Sequence, residues 1–233
     1  MDEKFKFAVL NGNTLKLIAL IAMTVDHVGE ILFPHIIILR IIGRLAYPIF
    51  AFMIAEGCFY TKHKYRYFFE VLGIGALCQI VYFVMFGSLY MNIMIVFAFS
   101  ILITFTIQKA IDTRKVGMVI LAAFLVGLAF FLSVILPNYV KGLQFDYGFV
   151  GIILPVAVYL IPKFKLKLAV FAAGLIVLSV FNNPSVQYWG LFSIPLLMLY
   201  NGKRGKLKIK HFFYIYYPAH MVGIWLVSFC LMH

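Results

Sequence analysis

The chain has 233 residues, of which 64% are hydrophobic and only 12% charged, about half the charge of an ordinary soluble domain. That balance excludes a water-soluble globule, because a core of this size cannot hide so much apolar side chain, whereas lipid solvates it. A formal net charge of +12 would raise nucleic acid as a partner of a soluble protein, but here the basic residues fall between apolar segments, and no nucleic-acid partner is expected.

From the N-terminus, residues 1–7 mix both signs of charge and no small-residue cleavage site follows the first apolar run, so no cleavable signal peptide is expected. Apolar segments of about spanning length then recur at 15–33, 36–59, 67–87, 91–109, 116–136, 147–162, 166–181, 186–201 and 211–231. The expected fold is all-α, a polytopic membrane bundle of about nine transmembrane helices in a single domain over 1–233. Eight helices would result if one of the short segments, the sixth to the eighth, is re-entrant. The loops support this division. Lys62, Lys64 and Arg66 follow the second segment, Lys109, Arg114 and Lys115 the fourth, and Lys163, Lys165 and Lys167 the sixth. Lys203, Arg204, Lys206, Lys208 and Lys210 follow the eighth, while Lys4, Lys6 and Lys16 belong to the start of the chain. Loops after odd-numbered segments hold almost no basic residues; 137–146 has only Lys141. The alternation predicts a multi-pass cell-membrane protein with a cytoplasmic N-terminus and an external C-terminus. Cys58, Cys78 and Cys230 lie in apolar runs without a CxxC spacing and read as inert thiols.

Ionisable groups are costly in hydrocarbon and usually face a bundle interior. They crowd into the first two segments: Lys16, Asp26, His27 and Glu30 in one, Arg40, Arg44 and Glu56 in the other. Later segments carry few, with Gln79 and His220 standing out. Lys16 and His27 are separated by about three helical turns and a rise of roughly 16 Å, so they share a face, and Glu30 continues it. Arg44 is expected at the depth of Asp26 and Glu30 and able to pair with either. A histidine beside an aspartate, with a glutamate one turn on, suits a tuned general base. Structural readings stand beside these: a neutralised pair for Arg44, a snorkelling anchor for Lys16, a packing residue for His220.

Three stretches resemble the TraX family, named for the F-pilin acetyltransferase. They are 15–29 (LKLIALIAMTVDHVG), 40–57 (RIIGRLAYPIFAFMIAEG), and 199–205 (LYNGKRG) followed by 212–220 (FFYIYYPAH). Their order and spacing cover nearly the whole chain. The resemblance implies acetyl transfer from acetyl-CoA at or across the membrane, and kinship with wider transmembrane acyltransferases that look similar in carrying a basic residue and a histidine in the first helix. On that likeness His27 is the catalytic histidine and Lys16 the basic residue on the donor side, with Asp26, Arg44 and Glu56 inside the matching blocks. The catalytic set expected is His27, Asp26, Arg44 and Glu30. Lys16, Glu56, Tyr47, Gln79, His220 and Arg66 are the candidate substrate contacts, and no metal is expected because His27, His35 and His63 fall at different depths. Partners are the acyl-CoA donor, membrane lipids, and an acceptor that the sequence leaves open between peptide, glycan and lipid. A proton-coupled transporter is the alternative, since proton relays use the same residue types. A non-catalytic scaffold leaves the buried charges unexplained, and the serines lack the context of an intramembrane protease.

Overall fold

The computed structural model describes residues 5, 7–182, 184–206 and 210–232, so Lys4, Lys6 and Lys208 of the basic set lie outside the described residues. The described chain is helical apart from a two-residue parallel strand pair and one isolated bridge. It divides into two compact units, one formed by Met1–Met53 with Ile161–His233, the other by Ile54–Leu160.

In the first unit, helix α1 (Gly12–Ile31) starts where the Asn11 side chain accepts the Thr14 N–H at 3.1 Å, an N-cap that satisfies one orphan donor of the first turn. Its Gly12 and Asn13 N–H groups donate to the Lys203 and Arg204 carbonyls. Leu10 and Tyr200 form a parallel bridge just before them. The α1 start is thereby laced to the loop 199–205, where Gly205 has φ +93° and a side chain would run into Asn11. After a turn at 32–36, α2 (Ile37–Gly43) and α3 (Ala46–Tyr60) follow as one interrupted span. Pro48 has no N–H to give to the Arg44 carbonyl four residues back, which accounts for the break. The unit is completed by α8 (Phe164–Phe181), the short α9 (Pro184–Gln187), a 3-10 turn over Tyr188–Phe192, α10 (Ser193–Met198) and α11 (Lys210–Met232). Leu20, Ala22, Met23 and Ala46 form a core patch against which Phe50, Phe213, Tyr216 and Tyr217 pack.

The second unit holds α4 (Lys64–Phe86), α5 (Ile93–Thr113), α6 (Val116–Phe130, running on through a π turn to Ile135 and a 3-10 turn to Asn138) and α7 (Gly148–Leu160). Its core is Val96, Ile103, Ala129, Ile152 and Val156, and the buried Ser100 hydroxyl donates to the Ile152 carbonyl at 2.7 Å. Between α4 and α5 a polar knot closes the turn. Gln79 donates to the Tyr90 carbonyl and accepts from Asn92, and the Tyr90 hydroxyl donates to Asp146. The strands β1 (Tyr90–Met91) and β2 (Gln144–Phe145) pair beside it.

Six stretches among the described residues are long and apolar enough to cross a membrane: Ile37–Tyr60, Lys64–Phe86, Ile93–Thr113, Val116–Asn138, Phe164–Phe181 and Phe212–Leu231. The chain is an all-α, multi-pass membrane protein. The other expected crossings differ for physical reasons. The thirteen residues of α7 reach only about 20 Å, short of a hydrocarbon core of about 30 Å, and Tyr188–Met198 is shorter still. Helix α1 has the length, with 20 residues, but carries Lys16, Asp26 and Glu30. The bilayer-facing surface is apolar as the solvent requires: Ile80 and Val84 of α4 and Ile120 and Phe124 of α6 are exposed, while Asn13, Lys167, Gln187 and His220 are buried.

Candidate functional site

The charged residues of α1 and α2 meet where the chain doubles back. Arg40 on α2 and Arg44, one turn on at the C-cap of α2, face Asp26 of α1. The Arg44 Nη2 lies 2.5 Å from Asp26 Oδ2, and the Arg40 Nη1 lies 3.1 Å from Asp26 Oδ1 and 2.9 Å from Glu30 Oε2. Arg40 also donates to the Asp26 carbonyl at 3.1 Å. Two guanidinium groups thus face two carboxylates, and the cluster is formally neutral. Its inner pair is mostly buried, with Asp26 and Arg44 side chains each 13% exposed, whereas Glu30 is 56% exposed. Gly43 makes the approach possible: a Cβ there would fall inside the Asp26 carboxylate. Arg44 also donates from Nη1 to Gln187 Oε1 at 3.2 Å. The buried Gln187 Nε2 has no hydrogen-bond partner among the described residues.

His27 follows Asp26 but points to a different neighbour, because adjacent residues on a helix are set about 100° apart. Its Nδ1 is 2.9 Å from Nε2 of His220 on α11, and the two rings stack at 5.1 Å with 28° between their planes. The other nitrogen of His220, Nδ1, lies 3.0 Å from the Tyr216 carbonyl. The Tyr216 ring stacks parallel on His220, at 5.4 Å and 3°. One turn earlier Thr24 and Tyr216 join the same two helices, their hydroxyls 2.8 Å apart. Thr24 donates to the Leu20 carbonyl at 2.9 Å, so the proton between the hydroxyls comes from Tyr216.

The expected residues therefore divide. Asp26, His27, Glu30, Arg44 and His220 come together, and Arg44 takes Asp26 as its partner while Arg40 takes Glu30. Tyr47 is buried at the start of α3, and Lys16 lies on α1 about 16 Å along the axis from His27. Glu56, Arg66 and Gln79 belong to the Ile54–Leu160 unit. There Glu56 is buried, Arg66 pairs with Glu70 at 3.0 Å, and the Gln79 amide is engaged in the polar knot. The hydrogen bond that His27 makes is to His220 and to neither of the carboxylates near it in sequence. Arg40 and Gln187 join the network without having been singled out for it. The sequence did carry a signal for each: Arg40 stands four residues before Arg44, and Gln187 is an amide in an apolar segment. Asp26, His27 and Glu30 each offer a ligand atom within 4.8 Å of the others, the spacing a cation would need. Both carboxylates already hold guanidinium groups, so a metal would have to displace Arg40 and Arg44.

Comparison with known proteins adds the following. The family model described as TraX protein matches residues 11–228. A probable fimbrial assembly protein FimC, serogroup H1, of Dichelobacter nodosus is 27% identical over 228 residues, covering 89% of this chain and 91% of the relative. An uncharacterized protein RP591 of Rickettsia prowazekii (strain Madrid E) is 52% identical over 52 residues, which is 22% of this chain and 21% of that protein. No solved structure matches. The family match takes in every charged residue of the α1–α2 cluster and both histidines bridging α1 and α11, and the chain belongs to the TraX family.

Proposed function

We propose that the chain is an acetyltransferase of the cell membrane. It moves an acetyl group from cytoplasmic acetyl-CoA to an amine or hydroxyl of a membrane-associated or external acceptor. The observation that carries this reading is His27, an imidazole among apolar helices whose neighbours Asp26, Glu30, Arg40 and Arg44 already neutralise one another. The charges around the ring are thus already paired, and His27 is the group left to take up a proton. Membership of a family named for pilin acetylation supports acetyl transfer, and the likeness to a fimbrial assembly protein makes a pilin-like peptide the first acceptor to try.

In this mechanism the CoA phosphates are drawn to the basic loop at 203–206, in the same unit as Lys16 and His27. The pantetheine arm passes Lys16, and the roughly 16 Å between Lys16 and His27 suits its length. His27 takes a proton from the acceptor nitrogen or oxygen as that atom attacks the thioester carbonyl carbon. The tetrahedral oxyanion collapses, the carbon–sulfur bond breaks, and the CoA thiolate takes the proton back from His27. Arg40 and Arg44 hold the carboxylates in place beside the ring and lend positive potential to the oxyanion.

The test is CoA-thiol release from radiolabelled acetyl-CoA by the purified full chain in liposomes, beside His27→Ala. Slow release by the native chain, lost in His27→Ala by about a hundredfold or more at unchanged thermal stability, is the expected result. Equal release by both proteins would overturn the assignment of His27. Neither binding nor release, together with proton-driven solute uptake, would replace the enzyme by a transporter.

A further inference from the structure

We infer that His220 is the positioning residue of this site, and that it leaves Nε2 of His27 as the nitrogen that meets the acceptor. The inference rests on the acetyltransferase reading only for its kinetic consequence; the proton order itself follows from hydrogen-bond chemistry. A backbone carbonyl can only accept, so the 3.0 Å contact between His220 Nδ1 and the Tyr216 oxygen requires the proton on Nδ1. In a neutral imidazole the other nitrogen is then bare. His220 Nε2 must accept at its 2.9 Å contact, and His27 Nδ1 must be the donor. His27 is in turn left with an unprotonated Nε2. One carbonyl, fixed in α11, sets the tautomer of two rings in succession and points the single free lone pair away from His220.

The arrangement does for His27 what a carboxylate does in an acid–base triad, which is to hold the ring orientation and fix the tautomer. It differs in charge. Asp26 and Glu30 are taken by Arg40 and Arg44, so the orienting group is a neutral ring. That ring is itself braced: Tyr216 stacks on His220 at 5.4 Å, and the Tyr216 hydroxyl is tied to Thr24 on α1. His220 is 8% exposed, so water does not compete for its nitrogens. The hydroxyl bridge and the imidazole bridge join α1 and α11 at two successive turns, and His27 is the only one of their four side chains with a nitrogen to spare.

The experiment has two readouts. The full chain, labelled with nitrogen-15 histidine in liposomes, is studied by solid-state NMR, with His27→Gln and His220→Gln used to assign the two rings. Both rings are expected to show a protonated Nδ1 and a bare Nε2, with a coupling across the bond from His27 Nδ1 to His220 Nε2. A His27 protonated at Nε2, or no coupling, overturns the inference whatever the activity. The second readout is kinetic. His220→Ala should lower kcat for acetyl transfer by about a hundredfold with KM for acetyl-CoA unchanged, and His220→Gln, whose amide oxygen can accept from His27 Nδ1, should restore most of it. Equal losses in both variants, tracking a drop in thermal stability, would make His220 a packing residue and overturn the positioning role. If the native chain shows the proton order but no acetyl transfer, the enzyme reading fails and the histidine relay stands.

Discussion

Asp26 has a guanidinium at each carboxylate oxygen, Arg44 hydrogen-bonded to Oδ2 and Arg40 within ion-pair distance of Oδ1, and this decides what its neighbours can do. A carboxylate 13% exposed beside hydrocarbon cannot rely on water, and its stability depends on Arg40 and Arg44. Removing one partner leaves uncompensated charge, which costs more than the intact pair contributes. Arg44→Met should therefore destabilise the chain by about 3–5 kcal/mol, and Asp26→Asn in the same background should recover a large part. Thermal unfolding in one detergent for the two single variants and the double variant checks this. Additive losses would mean that the two residues do not act as a pair. That Arg44 lies at the depth of Asp26 and Glu30 was readable from sequence, because helix rise alone sets their depths, but which of the two it takes was not. Nor was the partner of His27. His220 lies 193 residues away, and only the packing of α11 on α1 decides which of several polar groups the ring meets.

At the scale of elements, the α1–α2 hairpin depends on two glycines. A Cβ on Gly43 would occupy the Asp26 carboxylate, and one on Gly29 would overlap the Leu39 side chain on α2. Gly43→Ala should push the two helices apart at the level of the Arg44–Asp26 contact, lowering thermal stability and acetyl transfer together. Gly127→Ala on α6, where a Cβ meets nothing within 4 Å, should be neutral or slightly stabilising, since alanine favours a helix by up to about 1 kcal/mol. A Gly43→Ala chain as stable as the Gly127→Ala chain would show that α2 can shift without cost. Hydropathy located every helical segment, because the bilayer demands apolar side chains over a known length. It did not show how those segments end or break. The interruption at Arg44 and Leu45 follows from Pro48, and the polar knot of Gln79, Tyr90, Asn92 and Asp146 brings together residues that sequence separates. Gln79 stood out as an intramembrane amide; its hydrogen bonds are to the α4–α5 turn.

For the whole molecule, the lacing of residues 10–13 to the loop 199–205 fixes a parity. Both segments are joined by backbone hydrogen bonds, Leu10 N–H to the Leu199 carbonyl and Asn201 N–H to the Leu10 carbonyl, each 2.8 Å. They must lie on one side of the membrane, so the chain between them crosses an even number of times. Eight crossings satisfy this if α7 and the α9–α10 stretch both traverse. With α1 counted as a crossing, six satisfy it if neither does, because the loss of one short segment alone would then carry residue 200 to the opposite face. The basic residues Lys203, Arg204 and Lys206 predict, under the positive-inside bias, that this shared side is the cytoplasm. Single cysteines introduced at Val9 and at Lys203, in a chain whose Cys58, Cys78 and Cys230 are replaced by serine, should react with a membrane-impermeant thiol reagent only after the cells are opened. A cysteine at His35, beyond the end of α1, should react in intact cells. Labelling of Val9→Cys and Lys203→Cys from opposite sides would break the parity and with it the lacing. Labelling of both from outside would keep the parity and reverse the orientation, moving Lys16 and the approach of acetyl-CoA to the wrong side of the membrane.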